Sequence, residues 1–248
     1  MSSLRRNIFS NYKKVHGDFV VDSHVGWEDK LNWFRDLYEL NYSRIINQKK
    51  SRLLEVGCSQ GFFLKVLSDE GFEDIHGIDL SPEDVQLAKT RFGLRNVFVA
   101  DVQEFLHETK LKFDVIFAKD VLEHIEKQRL SELIAVLKNS LNPGGIALFQ
   151  VPNMDWLFSP HERYMDLTHE VGFTVQSLGQ LLRLHFDHVE LLKISYLFPK
   201  NWKQRFLWGT LREFYLSGHR FHLKVIGEGA PELWFDCREI VGICRNPL

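Results

Sequence analysis

From residue 51 onward, short apolar runs alternate with stretches of helical periodicity, and this alternation restricts the chain more than any other feature. The apolar runs cover residues 53–56, 75–78, 97–100, 113–117 and 146–151; residues 62–69, 82–91, 102–107 and 129–141 carry helical spacing between them. Such order predicts a parallel sheet with helices on both faces, because each crossover helix must bury its apolar side against the sheet. Ser81-Pro82-Glu83 offers an N-cap followed by proline at the first helical position. Asn142-Pro143-Gly144-Gly145 reads as a turn that ends a helix and leads into a strand. An amphipathic helix is expected over 174–184, and strands over 189–194 and 232–244, which brings the strand count to seven.

Two flanking segments read differently. Upstream, Leu31, Phe34, Leu37, Tyr38 and Ile45 fall on one helical stripe within 27–46, predicting a helix that lies against the main domain and is placed to act as a lid. Downstream, residues 196–230 hold Tyr196, Phe198, Trp202, Phe206, Trp208, Phe214 and Tyr215 and read as an irregular aromatic insertion. The expected organisation is an N-terminal helical cap at 1–50, a core at 51–195, and an insertion with a closing strand at 196–248.

Charge removes some functions. With 31 Lys and Arg against 33 Asp and Glu, the net charge of −2 lacks the basic excess of a nucleic-acid binder. No apolar run approaches the ~20 residues that span a bilayer, and no signal-peptide core follows the amino terminus. Three cysteines, Cys58, Cys237 and Cys244, form no C-x-x-C pair and cannot all pair internally, which points to a cytoplasmic location.

The run Leu53-Leu54-Glu55-Val56-Gly57-Cys58-Ser59-Gln60-Gly61-Phe62 ends a buried strand in a glycine turn and opens a helix. Glycines there let the backbone approach a ligand, and the helix start aims amide donors at it. Glu55 lies at the strand's carboxyl end, where open α/β sheets bind ligands, and a carboxylate suits a cationic portion such as an amino group. Asp79 ends the second strand, where an acid accepts from ribose hydroxyls, and Asp101 ends the third, where it accepts from an exocyclic amine. Capping of βα turns explains any one of these acids; three together with the glycine turn point to a pocket.

This pattern resembles the class I S-adenosylmethionine-dependent methyltransferases over roughly residues 50–195, with Ser59 standing where many members carry glycine. The resemblance implies a Rossmann-like fold whose seven-stranded sheet is mostly parallel. It also implies that Glu55, Gly57, Cys58, Ser59 and Gly61 hold the methionine part, Asp79 with Leu80 the ribose, and Asp101 with Val102 the adenine, with Lys119 in the same pocket. The dehydrogenase pattern G-x-G-x-x-G is absent, which weakens a nicotinamide-dependent oxidoreductase or epimerase alternative; a non-catalytic binding module is the other alternative.

If the segment after the fourth strand is helical, Asp120, Glu123 and His124 share a face. That grouping suits a divalent metal, magnesium or manganese, or an acid-tuned base; a similar run in ubiquinone-type O-methyltransferases implies a magnesium site. The loop over 159–170 holds His161, Arg163, His169 and Glu170, which are candidates to position an acceptor. Arg163 suits an anionic group, and His169 is a candidate base beside His124 or a fourth metal ligand with Asp120, Glu123 and His124. Residues 163–182 are similar to methyltransferases of surface-polysaccharide biosynthesis. The expected activity is O-methylation of a sugar or phosphorylated precursor, a small-molecule acceptor, by a protein that is a candidate homodimer.

Overall fold

The computed structural model describes Ile8 and residues 26–199, 201–227 and 234–247; the rest of the expected 1–50 cap and residues 232–233 of the last expected strand lie outside them. In chain order the elements are α1 (Trp27–Leu37), β1 (Leu53–Val56), α2 (Phe62–Asp69), β2 (Ile75–Asp79), α3 (Pro82–Phe92), β3 (Val97–Val99), α4 (Val102–Thr109) and β4 (Phe113–Lys119). Then follow α5 (Leu130–Asn139), β5 (Leu141–Pro152), α6 (Ser159–Tyr164), α7 (Val175–Arg183), β6 (His188–Lys193), α8 (Trp202–Val225) and β7 (Glu239–Arg245). One seven-stranded sheet runs in the order β3-β2-β1-β4-β5-β7-β6. Strands β1 to β5 are parallel, and β7 alone runs against its neighbours β5 and β6.

The strand alternation separates two cores. Leu54, Ile116, Ala118, Ala147 and Phe149 bury against α4, α5 and α7 on one face. Leu53, Val115, Phe117, Ile146 and Leu148 bury on the other, against α1, α2 and α3. Neighbouring residues thus serve opposite layers, as a period-two chain covered on both sides demands.

Besides the last strand, which begins at Glu239 rather than 232, and the segment that follows β4, three elements differ from the sequence expectation. The helix expected over 27–46 stops being α-helical at Leu37 and widens into a π-turn, Tyr38–Tyr42, where the Ser43 amide reaches the Tyr38 carbonyl at 2.8 Å. That extra residue turns Tyr38 and Tyr42 into the core beside Phe63. The expected Asn142–Gly145 turn is an excursion inside β5, whose register jumps from Phe113↔Leu141 to Val115↔Ile146 with Gly144 at φ 72°. The stretch expected to be irregular over 196–230 contains instead the 24-residue helix α8, capped by the Asn201 side chain accepting from the Gln204 amide.

Candidate active site

Every acid flagged at a strand end lies where parallel strands deliver side chains, at the carboxyl edge of the sheet. A cavity of about 330 Å³ opens there, and its wall includes Glu55, Gly57, Cys58, Ser59, Asp79, Leu80, Asp101, Val102, Lys119 and His124. Gly61 is not in that wall; it is the left-handed residue (φ 77°) that starts α2. Gly57 (φ 74°) passes so close to the segment that leaves β4 that a Cβ would meet Val121 Cγ2 at 2.6 Å.

The acids build the loop as well as line it. Asp79 Oδ2 accepts from the Ser59 amide and Oδ1 from the Ser81 amide, both at 2.8 Å, so β2 fastens the glycine turn. This bond holds Ser59 at φ 46°, a left-handed conformation in which glycine costs nothing. Asp101 Oδ1 caps α4 by accepting from the Gln103 amide at 2.9 Å. Glu55 bonds to the backbone at Leu64 and yet keeps its Oε2 buried without a hydrogen-bond partner. Burial, and then the Asp79 carboxylate, push the Glu55 carboxyl well above the usual range, with Lys119 opposing. A buried acid short of donors is the complement of an ammonium or sulfonium group.

Two wall residues come from the N-terminal element. Lys30 and Phe34 of α1 border the cavity, and Phe34 stacks on Phe62 at 5.6 Å, so α1 covers the glycine turn. Asn41 holds this cover to the segment that follows β6, accepting from the Ser195 amide at 2.9 Å and donating to the Ser195 carbonyl at 3.0 Å.

The histidine region departs from the helix expected of it. Asp120 takes φ 53°, and only Leu122–His124 form a single 3-10 turn. Asp120 is therefore turned to pair with Lys119 and does not join Glu123 and His124. Those two meet His169 instead, with one ligand atom of each lying within 4.8 Å of the others. Both carboxylate oxygens of Glu123 are buried without a hydrogen-bond partner, and burial followed by the Asp120 charge raises its pKa well above normal.

Tautomers follow from the partners. The Thr168 hydroxyl donates its one proton to Asp166 Oδ1 at 2.7 Å, so toward His124 Nδ1, 2.8 Å away, it is the acceptor. His169 Nδ1 faces the Glu162 carbonyl at 2.8 Å, which accepts only. Both imidazoles therefore carry the proton on Nδ1 and the lone pair on Nε2.

Other loop residues are engaged elsewhere. The Arg163 guanidinium donates to the carbonyls of His169 (2.5 Å) and Glu170 (3.2 Å) and fastens the loop on itself. His161 and Glu170 are exposed, and none of His161, Arg163, His169 and Glu170 lines the cavity.

A second group escaped the sequence reading. Gln150 at the end of β5 accepts from the Tyr42 hydroxyl, donates to Glu239, and lies 3.1 Å from the Tyr196 hydroxyl. Lys119 lies 3.6 Å from Glu239, and the Asp120 and Glu239 carboxylates overcome the effect of burial to raise the Lys119 pKa. Gln150 is a polar residue inside an apolar strand, which was the available signal; Glu239, which opens the antiparallel strand, carried none.

A methyltransferase domain family matches residues 32–213 of the chain. A ubiquinone biosynthesis O-methyltransferase of Xylella fastidiosa (strain 9a5c) is 28% identical over 156 residues, covering 58% of this chain and 62% of the relative. The enzyme of the same description from Neisseria meningitidis serogroup C is 23% identical, over 57% of this chain and 64% of its own length. The alignments thus span less than two thirds of these curated relatives. A methyltransferase structure from Archaeoglobus fulgidus superposes with a TM-score of 0.62 at 21% identity, covering 89% of this chain and 98% of its own. The N-methyltransferase NodS of Bradyrhizobium japonicum, in complex with S-adenosylhomocysteine, gives 0.57 at 17%, covering 96% and 100%. These likenesses carry the fold, and the family match removes the nicotinamide-dependent alternative. The chain belongs to the class I S-adenosylmethionine-dependent methyltransferases.

Proposed function

We propose that this chain moves the methyl group of S-adenosylmethionine to a hydroxyl oxygen of a small-molecule acceptor, with His124 taking the hydroxyl proton. When bound, S-adenosylmethionine supplies an electrophilic methyl carbon on a cationic sulfur. The chain's residues suit it: Glu55 has an unpartnered buried oxygen that would take the ammonium, and in the same cavity wall Asp79 would hold the ribose and Asp101 with Val102 the adenine. Direct displacement needs alignment and exclusion of water more than charge stabilisation, and the cover made by α1 serves both. An alcohol must lose its proton as it attacks, so a base is required.

One observation carries the base assignment: the Asp166–Thr168–His124 chain of hydrogen bonds leaves Nε2 as the basic nitrogen of a histidine in the cavity wall. The names of the curated relatives also support an oxygen acceptor. Phenolic and sugar hydroxyls share this chemistry. A phosphorylated precursor of surface glycans is less well served, because Arg163 turns two of its donors to backbone carbonyls and does not line the cavity.

A second reading rests on the unpartnered oxygens of Glu123. Glu123, His124 and His169 would hold a magnesium or manganese ion, which would supply positive charge beside the acceptor oxygen. Transfer of labelled methyl to phenols, sugars and amines, with and without chelator, tests both readings. Label in a methyl ether, a chelator-insensitive rate, and a kcat drop of roughly 10²- to 10⁴-fold in His124→Ala with S-adenosylhomocysteine affinity kept are expected. Methylation confined to nitrogen would overturn the oxygen acceptor, and a rate abolished by chelator would reassign His124 to the metal.

A further inference from the structure

Helix α8 meets the body through few residues. Leu216 is its one buried side chain among those described. Arg212 pairs with Asp236 at 3.1 Å, and the His219 ring lies against Phe235. On a different side, Leu207, Leu211, Phe214, Phe221 and Val225 recur at helical spacing and share an arc of about 80°, bordered by Trp208, Tyr215 and Ile226. All are exposed, Phe214 at 82% and Phe221 at 70%. An apolar stripe of this length on open water marks an interaction surface.

Charge selects the occupant. The helix carries Lys203, Arg205, Arg212, Arg220 and Lys224 against Glu213 alone, within a chain whose net charge is −2. Its positive charge is therefore local to this element. Lys203 and Lys224 follow one border of the apolar arc, where their stems can run along it and their ends reach outward, while Arg220, farther round, pairs with Glu213 at 3.5 Å. No helix among the described residues is long and apolar enough to cross a membrane. A helix that is aromatic and aliphatic on one side and basic beside it fits the boundary between acyl chains and anionic headgroups. A second copy fits less well, since two such helices laid side by side would bring like charges together and have to interleave Phe214, Phe221 and Tyr215.

A second surface adds to the first. Asp236 and Arg238 precede β7 at the carboxyl edge of the parallel strands; Asp236 holds α8, and Arg238 pairs with Glu162 of α6 at 3.1 Å. Around α6, Phe158, Tyr164, Met165 and Leu167 are exposed as well. Both apolar surfaces thus flank the edge of the sheet that carries the cavity.

We propose that α8 seats the protein on an anionic lipid surface, with the arc from Leu207 to Val225 among the acyl chains and Lys203 and Lys224 at the lipid phosphates. Flotation of the full chain with phosphatidylglycerol vesicles and with phosphatidylcholine vesicles tests this. Partition to the anionic vesicles, weakened by salt, is expected. Phe214→Glu with Phe221→Glu should lower it more than tenfold, and Lys203→Ser with Lys224→Ser roughly 30-fold. Thermal stabilisation by S-adenosylhomocysteine should be kept in both and shows that each is folded; should the first variant misfold, the second decides. Equal partition of wild type and folded variants would overturn the proposal. So would a wild-type dimer in sedimentation equilibrium that Phe214→Glu dissociates, which would give the arc to a second copy.

Discussion

A carboxylate that is buried and short of donors holds its proton until a cation arrives, and this makes Glu55 the residue whose titration should report cofactor binding. Its carboxyl sits above the normal range mainly because of burial, with Asp79 adding to the effect. An ammonium placed against it favours the ionised form, so binding releases a proton and affinity rises with pH until the free carboxyl has itself ionised. Glu55→Gln should weaken S-adenosylhomocysteine roughly 10- to 150-fold, the worth of a hydrogen bond to a charged group, and flatten this pH dependence. Calorimetry in buffers of different ionisation enthalpy reads both effects. The acids at 55, 79 and 101 were legible because each ends an apolar run, and position along a strand is a local property. Asp166 and Thr168 were not: their relation to His124 spans 44 residues of sequence and exists only once the loop folds back. Asp120 misled for a related reason, since its grouping with Glu123 and His124 presumed a helix that its left-handed φ interrupts.

Elements were readable in proportion to the regularity of their surroundings. The βα units between residues 51 and 141 repeat one solution, and every helix and strand expected of those units appears within a few residues of its expected bounds; only the helix across Asp120–His124 does not form. Helix α8 was obscured because Trp202, Phe206 and Trp208 lie outside the apolar arc and Gly209 and Gly218 interrupt it. A helix without a packed partner does not advertise a simple inside and outside. At β7 the opposite holds, and packing is so close that it constrains residue choice. A Cβ on Gly242 would meet Leu182 Cδ1 at 2.2 Å, where α7 crosses the strand. Gly242→Ala should cost about 1–3 kcal/mol through this overpacking, visible as a lower denaturant midpoint with an unchanged slope.

Stability of the whole molecule should carry the mark of Glu239. Burial, reinforced by Asp120, pushes its pKa up to about 7 from an ordinary value near 4.5, with Lys119 opposing. Below about pH 4.5 both the folded and unfolded chains hold this proton; between there and about 7 only the folded chain does. The stabilisation it gives is therefore complete at low pH and is lost as pH rises through 7. Glu239→Gln, which keeps the shape and removes the charge, should show a smaller decline in melting temperature between about pH 5 and about pH 8 than wild type, an interval that brackets the folded-state value. A steeper decline in the variant would contradict the placement of this group.

The position of β7 has a consequence for how the protein is made. A ribosome releases β6 before β7, yet β6 reaches the sheet only through β7, which also completes β5. Until residues 239–245 emerge, the nascent chain exposes an open strand edge on β5, and residues 188–193 have nothing to zip onto. Assembly of this half of the sheet must therefore be a late event that happens all at once, and chains halted before that point would be prime clients for chaperones.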